Sequence, residues 1–598
     1  MTFGGIVGGT QALADLDVTA ATINLNSTGV TVDDGAGGAT ATFTGAVVLG
    51  ANVTIDTDGA ADNSLTFTST IDATTAGTEG LTITAGGGTV TLGGAVGTTM
   101  ALDALDVTAD TINANGNITT ADGNVTLDST SALTIGVNIS AGAGTVTLVS
   151  DGAINQTGGA ITADKLSLES GSPITVNQAG NDVNTVAAKA DTAGDIKIRD
   201  TDDMTIGTVG SLSGISSNGG NVTVQTGGNL TVSQAVNAGA GTVTLNVTSG
   251  SINGAGLITA STADLDATTG IGNTTALELA ASTITADTTN GNIDIDNALG
   301  TAVSVNSLTT GTGTITFEQS GGGAVTFVNV TTTSGDITLQ NAGANLKAQT
   351  VTAGTAAPGD GDLTLETTGS GDIIVDDVKA ENDTVTITAA GAILENPDAG
   401  VDITGSTLDL TASNGIGTQS EPLEISESTL TATTTNGDVV LQTISGDMTV
   451  NQVEATNGGI FLTSAGGIMA GNFDPNLTAG TNSELKANGG SIGSDANPFA
   501  YNVSGGGFTV SASGDAFLEG SPAPTDGGVT GILDFQGSIG GTKGLLILGV
   551  FGSTVSETGG PATTTGRLIS LAEEAIVTEE PKEIELEEEL KRRLGIGG

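Results

Sequence analysis

The chain contains no cysteine, no histidine and no tryptophan among its 598 residues. These absences exclude disulfide bonds, zinc sites built from cysteine or histidine, thiol nucleophiles and Ser-His-Asp triads. Aromatic residues make up only 2% of the sequence and include a single tyrosine, so the large rings that fill ordinary globular cores are scarce. Any core must therefore be built mainly from valine, isoleucine, leucine and alanine.

Positive charge is scarce as well. The sequence has 13 Lys and Arg against 66 Asp and Glu, which gives a formal net charge of −53, and the first basic side chain is Lys165. Nucleic acids and anionic membranes are bound mainly through Lys and Arg, so this composition argues against both as partners. No apolar run approaches the roughly 20 residues of a membrane-spanning helix, and no transmembrane span is predicted.

The N-terminal segment lacks the features of a targeting sequence. Met1–Gly9 has neither a basic region nor a long apolar region, so we do not expect this segment to be a signal peptide. An alternating strand pattern is already under way at residues 16–19, with no cap-like segment before it. We expect the chain to be a fragment of a longer exported protein, and the alternative is a protein that is not exported by that route.

One short phrase recurs along the whole chain, which contains 94 glycines. It begins with glycine and continues with alternating apolar and Thr or Asp positions, as in residues 88–92, 123–127, 241–245, 335–339 and 437–441. Side chains on a strand alternate between two faces, so each phrase predicts a half-buried strand opened by a turn. The sequence is therefore that of a strand repeat protein.

The sequence also contains a longer repeat, which spans several of these strand phrases. Residues 277–291 and 423–437 share a Leu-Glu start and a Ser-Thr-aliphatic-Thr-Ala continuation that ends at Asn-Gly. Gly-x-Ile starts at Ile252, Ile393 and Ile468 are each followed after about 20 residues by an Ile-Gly step, at Ile271, Ile416 and Ile492. This spacing predicts one coil of an elongated, parallel, right-handed β-helix, an all-β rod in which neighbouring coils cover each other's apolar faces.

The composition changes toward the C-terminus and predicts three segments. Residues 1–540 form the β-solenoid array, and residues 541–566 form a terminal strand or cap followed by a Gly/Ser/Thr linker. Within that second segment, residues 545–551 are too short to span a bilayer and are expected to be a last buried strand. Residues 567–598 form an acidic tail with a short helix after Pro581, which either docks on a partner or the rod end or stays exposed.

The repeat style resembles that of filamentous-haemagglutinin-like large bacterial exoproteins. The resemblance rests on the Gly-x-Ile starts, the Gly-Ile-Gly steps at 270–272 and 415–417, the Pro422-Leu423 pair and the strand entry at 428–439, and it covers roughly residues 10–540. It implies a right-handed β-helix exported through outer-membrane secretion machinery and displayed outside the cell as an adhesin or biofilm component. The secretion domain and translocator barrel expected of that family are not part of this sequence.

Carboxylates in or near turns give weak candidates for calcium binding, and no other cofactor is indicated. These candidates follow neither the EF-hand nor the nonapeptide repeat spacing, and solvated turn acids are the competing interpretation. The candidate metal ligands are Asp56, Asp58, Asp62, Asp200, Asp202, Asp203, Asp372, Asp376 and Asp377.

Three segments that interrupt the coil spacing are candidate recognition loops, with inert spacers as the alternative. Each of them combines proline with acidic residues and is expected to bulge from the rod. The candidate residues are Glu395, Asn396, Pro397, Asp398, Asn472, Phe473, Asp474, Pro475, Glu519, Pro522, Pro524 and Asp526.

Three functions follow in order of preference. The first is a non-enzymatic extracellular or cell-surface rod that adheres to surfaces, cells or glycans through its side face and loops. The second is a biofilm-matrix or surface-layer scaffold in which rods bind each other. The third is a polysaccharide-processing enzyme, which would need paired carboxylates in a cleft with aromatic platforms. No catalytic residue is predicted.

Overall fold

The computed structural model describes residues 1–33, 40–59, 63–354, 359–398, 400–539 and 542–549. Within these ranges every regular element is a β-strand, and no helix occurs. Parallel strands stack coil upon coil into a β-solenoid of about 23 turns, which confirms the predicted fold class. The handedness and the three segment boundaries stay predictions, and the linker and C-terminal helix lie outside the described residues.

The recurring phrases form strands with the expected alternation. In Val125–Ser129 and Ile337–Ala342 the Val, Ile and Leu side chains are buried and the intervening Thr side chains are half-buried. Parallel pairing also explains the longer period, because Ile252 pairs with Ile271, Ile393 with Ile416 and Ile468 with Ile492. The distance from a Gly-x-Ile start to the following Ile-Gly step is therefore one coil.

Three aliphatic ladders enclose a single core in the central coils. Each coil adds one member to each ladder, and the members are almost completely shielded from solvent. The ladders are Ile293, Ile315, Ile337, Leu363, Val385 and Leu408; Val303, Val325, Leu346, Ile373 and Ile393; and Leu308, Val330, Val351, Val378 and Ile403. A single coil exposes both of its edges, so burial and hydrogen bonding are completed only by its neighbours.

The strands of the first part of the chain range from two to twelve residues in length. They are Thr2–Phe3, Leu16–Leu25, Gly29–Thr31, Thr40–Leu49, Val53–Asp56, Ser64–Phe67, Ile71–Ala73, Leu81–Thr84, Thr89–Leu92, Leu105–Ala109, Thr111–Ala114, Ile118–Thr119, Val125–Ser129, Leu133–Ile135, Ile139–Ser150, Ile154–Gln156, Ile161–Ser170, Ile174–Val176, Asp182–Ala190 and Ile196–Arg199. 

The central strands include an antiparallel hairpin that leaves the parallel stack, formed by Thr208–Val209 and Leu212–Ser213. The other strands of this part are Met204–Ile206, Ile215–Ser216, Val222–Thr226, Leu230–Val232, Val236–Asn237, Thr242–Val247, Ser251–Asn253, Ile258–Ala267, Gly270–Ile271, Leu277–Thr288, Ile293–Asn297, Val303–Thr310, Ile315–Gln319, Val325–Thr332, Ile337–Ala342, Leu346–Thr352 and Leu363–Thr368.

The last described strands end in an antiparallel pair, Ile532–Ile539 with Thr542–Gly549. This second strand includes most of the predicted terminal strand at 545–551, of which residues 550 and 551 lie outside the described ranges. The preceding strands are Ile373–Ala389, Ile393–Glu395, Ile403–Ala412, Leu423–Ser426, Thr429–Thr434, Val439–Thr443, Met448–Ala455, Ile460–Ser464, Ile468–Ala470, Leu477–Ala479, Ser483–Ala487, Phe499–Val503, Phe508–Ala512, Ala516–Ser521 and Thr525–Asp526.

A polar ladder continues one of the inward-facing columns. Asn297, Gln319, Asn341 and Thr367 occupy the same position in four successive coils and are buried. The Nδ2 of Asn297 donates to the Oε1 of Gln319 at 2.8 Å, and the Nε2 of Gln319 donates to the carbonyl of Leu299 at 2.5 Å. Buried amides need such partners, so this ladder fixes the register between coils.

Candidate functional site

The first predicted calcium set lies at the end of the strand Val53–Asp56. The backbone N–H of Asp58 donates to the Oδ1 of Asp56 at 3.1 Å, which is a local turn contact. Asp62 lies outside the described residues. The described part of this set therefore supplies turn hydrogen bonding.

The second set caps backbone groups of neighbouring turns. Asp200 is buried, and its two carboxylate oxygens accept from the backbone N–H of Val183 at 2.8 Å and of Asp202 at 3.0 Å. The Oδ1 of Asp203 accepts from the backbone N–H of Asn229 at 2.6 Å. Burial raises the pKa of Asp200 to about 6. In this set both Asp200 and Asp203 bind backbone N–H groups.

The third set is divided between two environments. Asp372 accepts from the backbone N–H of Ala392 on the next coil at 2.9 Å, whereas Asp377 is exposed. Asp376 instead faces the segment that was predicted as a recognition loop, where it accepts from the Nδ2 of Asn396 at 3.1 Å. Burial and the adjacent carboxyl group of Asp398 raise the pKa of Asp376. Asp376, a predicted calcium ligand, is therefore in contact with the predicted recognition loop that begins at Glu395.

Several carboxylates lie close together around the segment that begins at Glu395. Within the described ranges, one group of three acidic residues has ligand oxygens within 4.8 Å of one another, and it consists of Glu395, Asp398 and Asp402. Glu424 of the next coil adjoins them, because its backbone N–H donates to the Oδ2 of Asp402 at 2.8 Å. We call these four residues the 395–402 acidic cluster.

The backbone of the coil positions the cluster. Glu395 ends the strand Ile393–Glu395 and stacks on Val375 in an inward-facing column. Asp402 directly precedes the strand Ile403–Ala412, and its own backbone N–H donates to the carbonyl of Glu424 at 3.0 Å. The loop between these strand ends carries Asp398 on the surface. Glu395, Asp402 and Glu424 are thus buried, whereas Asp398 is exposed to solvent.

Solvent exposure separates the members of the cluster. Asp402 is 0% exposed, Glu424 is 7% exposed and Glu395 is 9% exposed. Burial raises the pKa of Asp402 to about 8, with the carboxyl groups of Glu424 and Glu395 adding to the effect. Burial also raises the pKa of Glu395, assisted by the charge of Glu424. Removing carboxylates from water disfavours their charged form unless a cation or donors compensate.

Glu427 directly follows the strand Leu423–Ser426, which carries Glu424, and its side chain is half-buried. One of its carboxylate oxygens accepts from the backbone N–H of Thr449 at 3.2 Å, and the other is buried without a partner. Burial raises its pKa to about 7. A further carboxyl group of raised pKa therefore lies on the same coil as Glu424.

The second predicted recognition loop, residues 472–475, presents an aromatic side chain to solvent. In the segment 472–475, Phe473 is 54% exposed, and the neighbouring Met469 is 40% exposed. The loop is held at its end by buried Asn476, whose Nδ2 donates to the carbonyl of Val450 at 3.2 Å and whose Oδ1 accepts from the N–H of Ala500 at 3.0 Å.

The segment 519–526 lies mostly along the coil. Glu519 belongs to the strand Ala516–Ser521, and Asp526 belongs to the short strand Thr525–Asp526, where it caps the N–H groups of residues 528 and 529 at 2.8 Å. The side chain of Tyr501 donates to the carbonyl of Pro522, between these strands, while Pro524 is half-buried. This segment is tied to the rod.

Asp402, Glu424 and Glu427 were not singled out from the sequence. One signal was present for their partner: Glu395 is two residues after Ile393, so strand alternation places it on the inward face. No comparable signal marks Asp402 and Glu424, because their meeting depends on contact between two coils.

No family model, no curated protein and no solved structure matches this chain. Among the described residues, no helix has the length and apolar character needed to cross a bilayer. The solenoid fold and the geometry of its sites are thus the basis for a functional interpretation.

Proposed function

We propose that this chain is a non-enzymatic, extracellular or cell-surface rod that acts as a structural and adhesive element. The observation that carries the proposal is the unbroken stack of parallel ladders around one aliphatic core. With about 4.8 Å between stacked strands, about 23 turns extend roughly 110 Å. A rod of this kind holds a binding surface away from its point of attachment, and its length serves that purpose.

The loop at 472–475 is the contact surface that we propose for adhesion. Phe473 offers an aromatic side chain to solvent, with Met469 nearby, and single aromatic anchors often dominate the energy of an interface. The loop is anchored by Asn476 on both neighbouring coils, so it presents Phe473 from a fixed base. Cell-surface proteins and glycans are the partners that the proposal names, and aromatic rings suit both.

The proposal is tested by measuring binding of the full chain to glycan arrays and to intact cells. We expect Phe473→Ala to weaken binding at least tenfold, mainly through faster dissociation. Leu257→Ala is the matched control, because Leu257 is 42% exposed and lies on a distant coil. Equal binding by wild type and Phe473→Ala would remove the loop from the proposal. Globular particles in electron micrographs, or no binding to any surface, would overturn the rod function itself.

Carbohydrate cleavage is an alternative function, because a carboxyl group with a raised pKa, such as that of Asp402, can serve as a general acid. Two observations weigh against it. Asp402 is fully buried, and residues 328–460, which surround the cluster in sequence, contain no Phe, Tyr or Trp to stack against a sugar ring. A depolymerisation assay on acidic and neutral glycans, with Asp402→Asn as the inactive comparison, distinguishes the two functions.

Self-association into a matrix or surface layer is the second alternative. With a net charge of −53, rods repel one another unless cations screen or bridge them. Electron microscopy in the presence of calcium and of a chelator separates the two cases, because calcium-dependent fibres support a scaffold and single rods under both conditions support an adhesin.

A further inference from the structure

The 395–402 acidic cluster contains buried oxygens that have no hydrogen-bond donor. In Glu395, Oε1 accepts from the N–H of Asp398 at 3.2 Å, whereas Oε2 is buried and has no partner. In Asp402, Oδ2 accepts from the N–H of Glu424, whereas Oδ1 has no partner. In Glu424, Oε1 accepts from the Nε2 of Gln442, and Oε2 again has no partner. Each of these three carboxylates therefore directs one unsatisfied oxygen into protein.

Positive charge does not compensate these groups. Among the described residues, no salt bridge involves Glu395, Asp402 or Glu424. The nearby Lys347 donates to the Oδ1 of Asn396 at 2.8 Å and acts on Asp376. Leaving a carboxylate oxygen buried without a donor or a cation costs free energy, and the cost is larger when the group is charged. Several such groups in one place must therefore be neutralised by protons or by a bound cation.

We propose that Glu395, Asp398 and Asp402 bind one Ca²⁺ ion. Calcium binds oxygen ligands at about 2.3–2.6 Å, so two oxygens on the same ion are separated by at most about 5 Å. The mutual separation of the three ligand oxygens, within 4.8 Å, satisfies that limit. Exposed Asp398 gives the ion a path from solvent to the buried ligands.

The ligand chemistry selects calcium over other metals. All candidate ligands are carboxylates, and the chain has no cysteine or histidine for zinc or copper. Magnesium requires six oxygens near 2.1 Å and keeps several of its waters, whereas two of these three carboxylates lie beneath the surface. The ion would join the two strand ends of one coil, because Glu395 ends the strand Ile393–Glu395 and Asp402 precedes the strand Ile403–Ala412. Asp402 in turn accepts from the backbone N–H of Glu424 on the following coil.

The test is titration calorimetry of the full chain, freed of metal by a chelator, with CaCl₂ in about 0.15 M KCl and excess MgCl₂. The salt and magnesium suppress diffuse binding to the many surface acids. We expect wild type to show one calcium site per chain above this background. Glu395→Gln and Asp402→Asn, which keep side-chain size, are each expected to weaken that site at least tenfold.

Asp409→Asn is the matched control, because Asp409 is an exposed acid in the strand Ile403–Ala412 that follows the cluster. The control is expected to bind calcium as wild type does. Equal losses in all three variants would show diffuse attraction to a negative surface, and the absence of a calcium site in wild type would likewise overturn the proposal. Magnesium binding as tight as calcium binding would contradict the assignment of the ion.

Hydrogen exchange provides a second readout that does not depend on affinity. Calcium is expected to slow exchange at least tenfold in peptides covering residues 393–403 and 423–426 of wild type, and to leave residues 105–129 unchanged. The distant coils also report whether the variants are folded. Neither measurement depends on adhesion, so the calcium site and the proposed function can fail separately.

Discussion

The close stacking of turns makes one glycine a sensitive test of the coil register. A Cβ added at Gly123 would lie 1.4 Å from the backbone oxygen of Asp103 on the preceding coil. Ordinary contact requires about 3.5 Å, so the two coils would have to separate locally by about 2 Å. The neighbouring hydrogen bond from Leu105 N to Asn124 O is 3.0 Å long and would be lost at that separation.

The expected cost of Gly123→Ala follows from the contacts at the same turn. The bond from Ala121 N to Leu102 O joins the same two coils and is exposed to the same displacement. At about 1 kcal/mol for each of the two bonds, local stability falls by about 2 kcal/mol. This is equivalent to roughly 30-fold faster hydrogen exchange in the amides of the strand Val125–Ser129.

Hydrogen exchange of the full chain, read by mass spectrometry, measures this effect coil by coil. Gly136→Ala is the matched control, since its Cβ would meet only the Thr157 hydroxyl at 3.5 Å, which is ordinary contact. Residues 337–368 should keep wild-type exchange in both variants, because each coil interacts with its neighbours alone. If Gly123→Ala and Gly136→Ala exchange alike, the stacking of residue 123 on residue 103 is wrong.

The remaining predictions concern the core, the polar ladder and pH. The ring of Phe317 is buried beside that of Phe327, with ring centroids 5.2 Å apart. Phe317→Ala should therefore lower the local free energy of opening, measured by hydrogen exchange, by about 3–5 kcal/mol. Phe461→Ala, on an outer face, should lower it by less than half as much. Gln319→Ala should cost about 1–3 kcal/mol by leaving the Leu299 carbonyl without its donor, and unchanged exchange in the strand Ile315–Gln319 would contradict this. The pKa of Asp200 is about 6 in the folded chain against an ordinary 3.8, so its neutral form contributes about 3 kcal/mol below pH 4 that is lost as the pH rises to 6. Asp200→Asn removes this titration, so the ratio of exchange rates between wild type and variant at residues 182–190 should change by about 50-fold from pH 4 to 6.5. A constant ratio would refute it.

The repeating part of the fold could be predicted because its information is local. Alternation within Val125–Ser129 identifies the inward face, and the interval from Ile393 to Ile416 equals one coil. The acidic cluster was predicted only in part. Glu395 and Asp398 were singled out as recognition-loop residues, but Asp402 and Glu424 stand before and within ordinary strands. Their proximity follows from the register between two coils, which strand periodicity alone does not supply.

The chain holds its acids in two physically different ways. Glu278, Asp296 and Glu318 stack in successive coils on an outer face, where burial and then the neighbouring charges raise the pKa of Glu278. Like charges about 5 Å apart in water repel by about 1 kcal/mol, and any dissolved salt screens them. The carboxylates of Glu395 and Asp402 are removed from water, so salt in solution screens them far less. Only a proton or an ion that enters the cluster relieves their repulsion, and calcium should therefore act there at concentrations too low to alter the outer ladders.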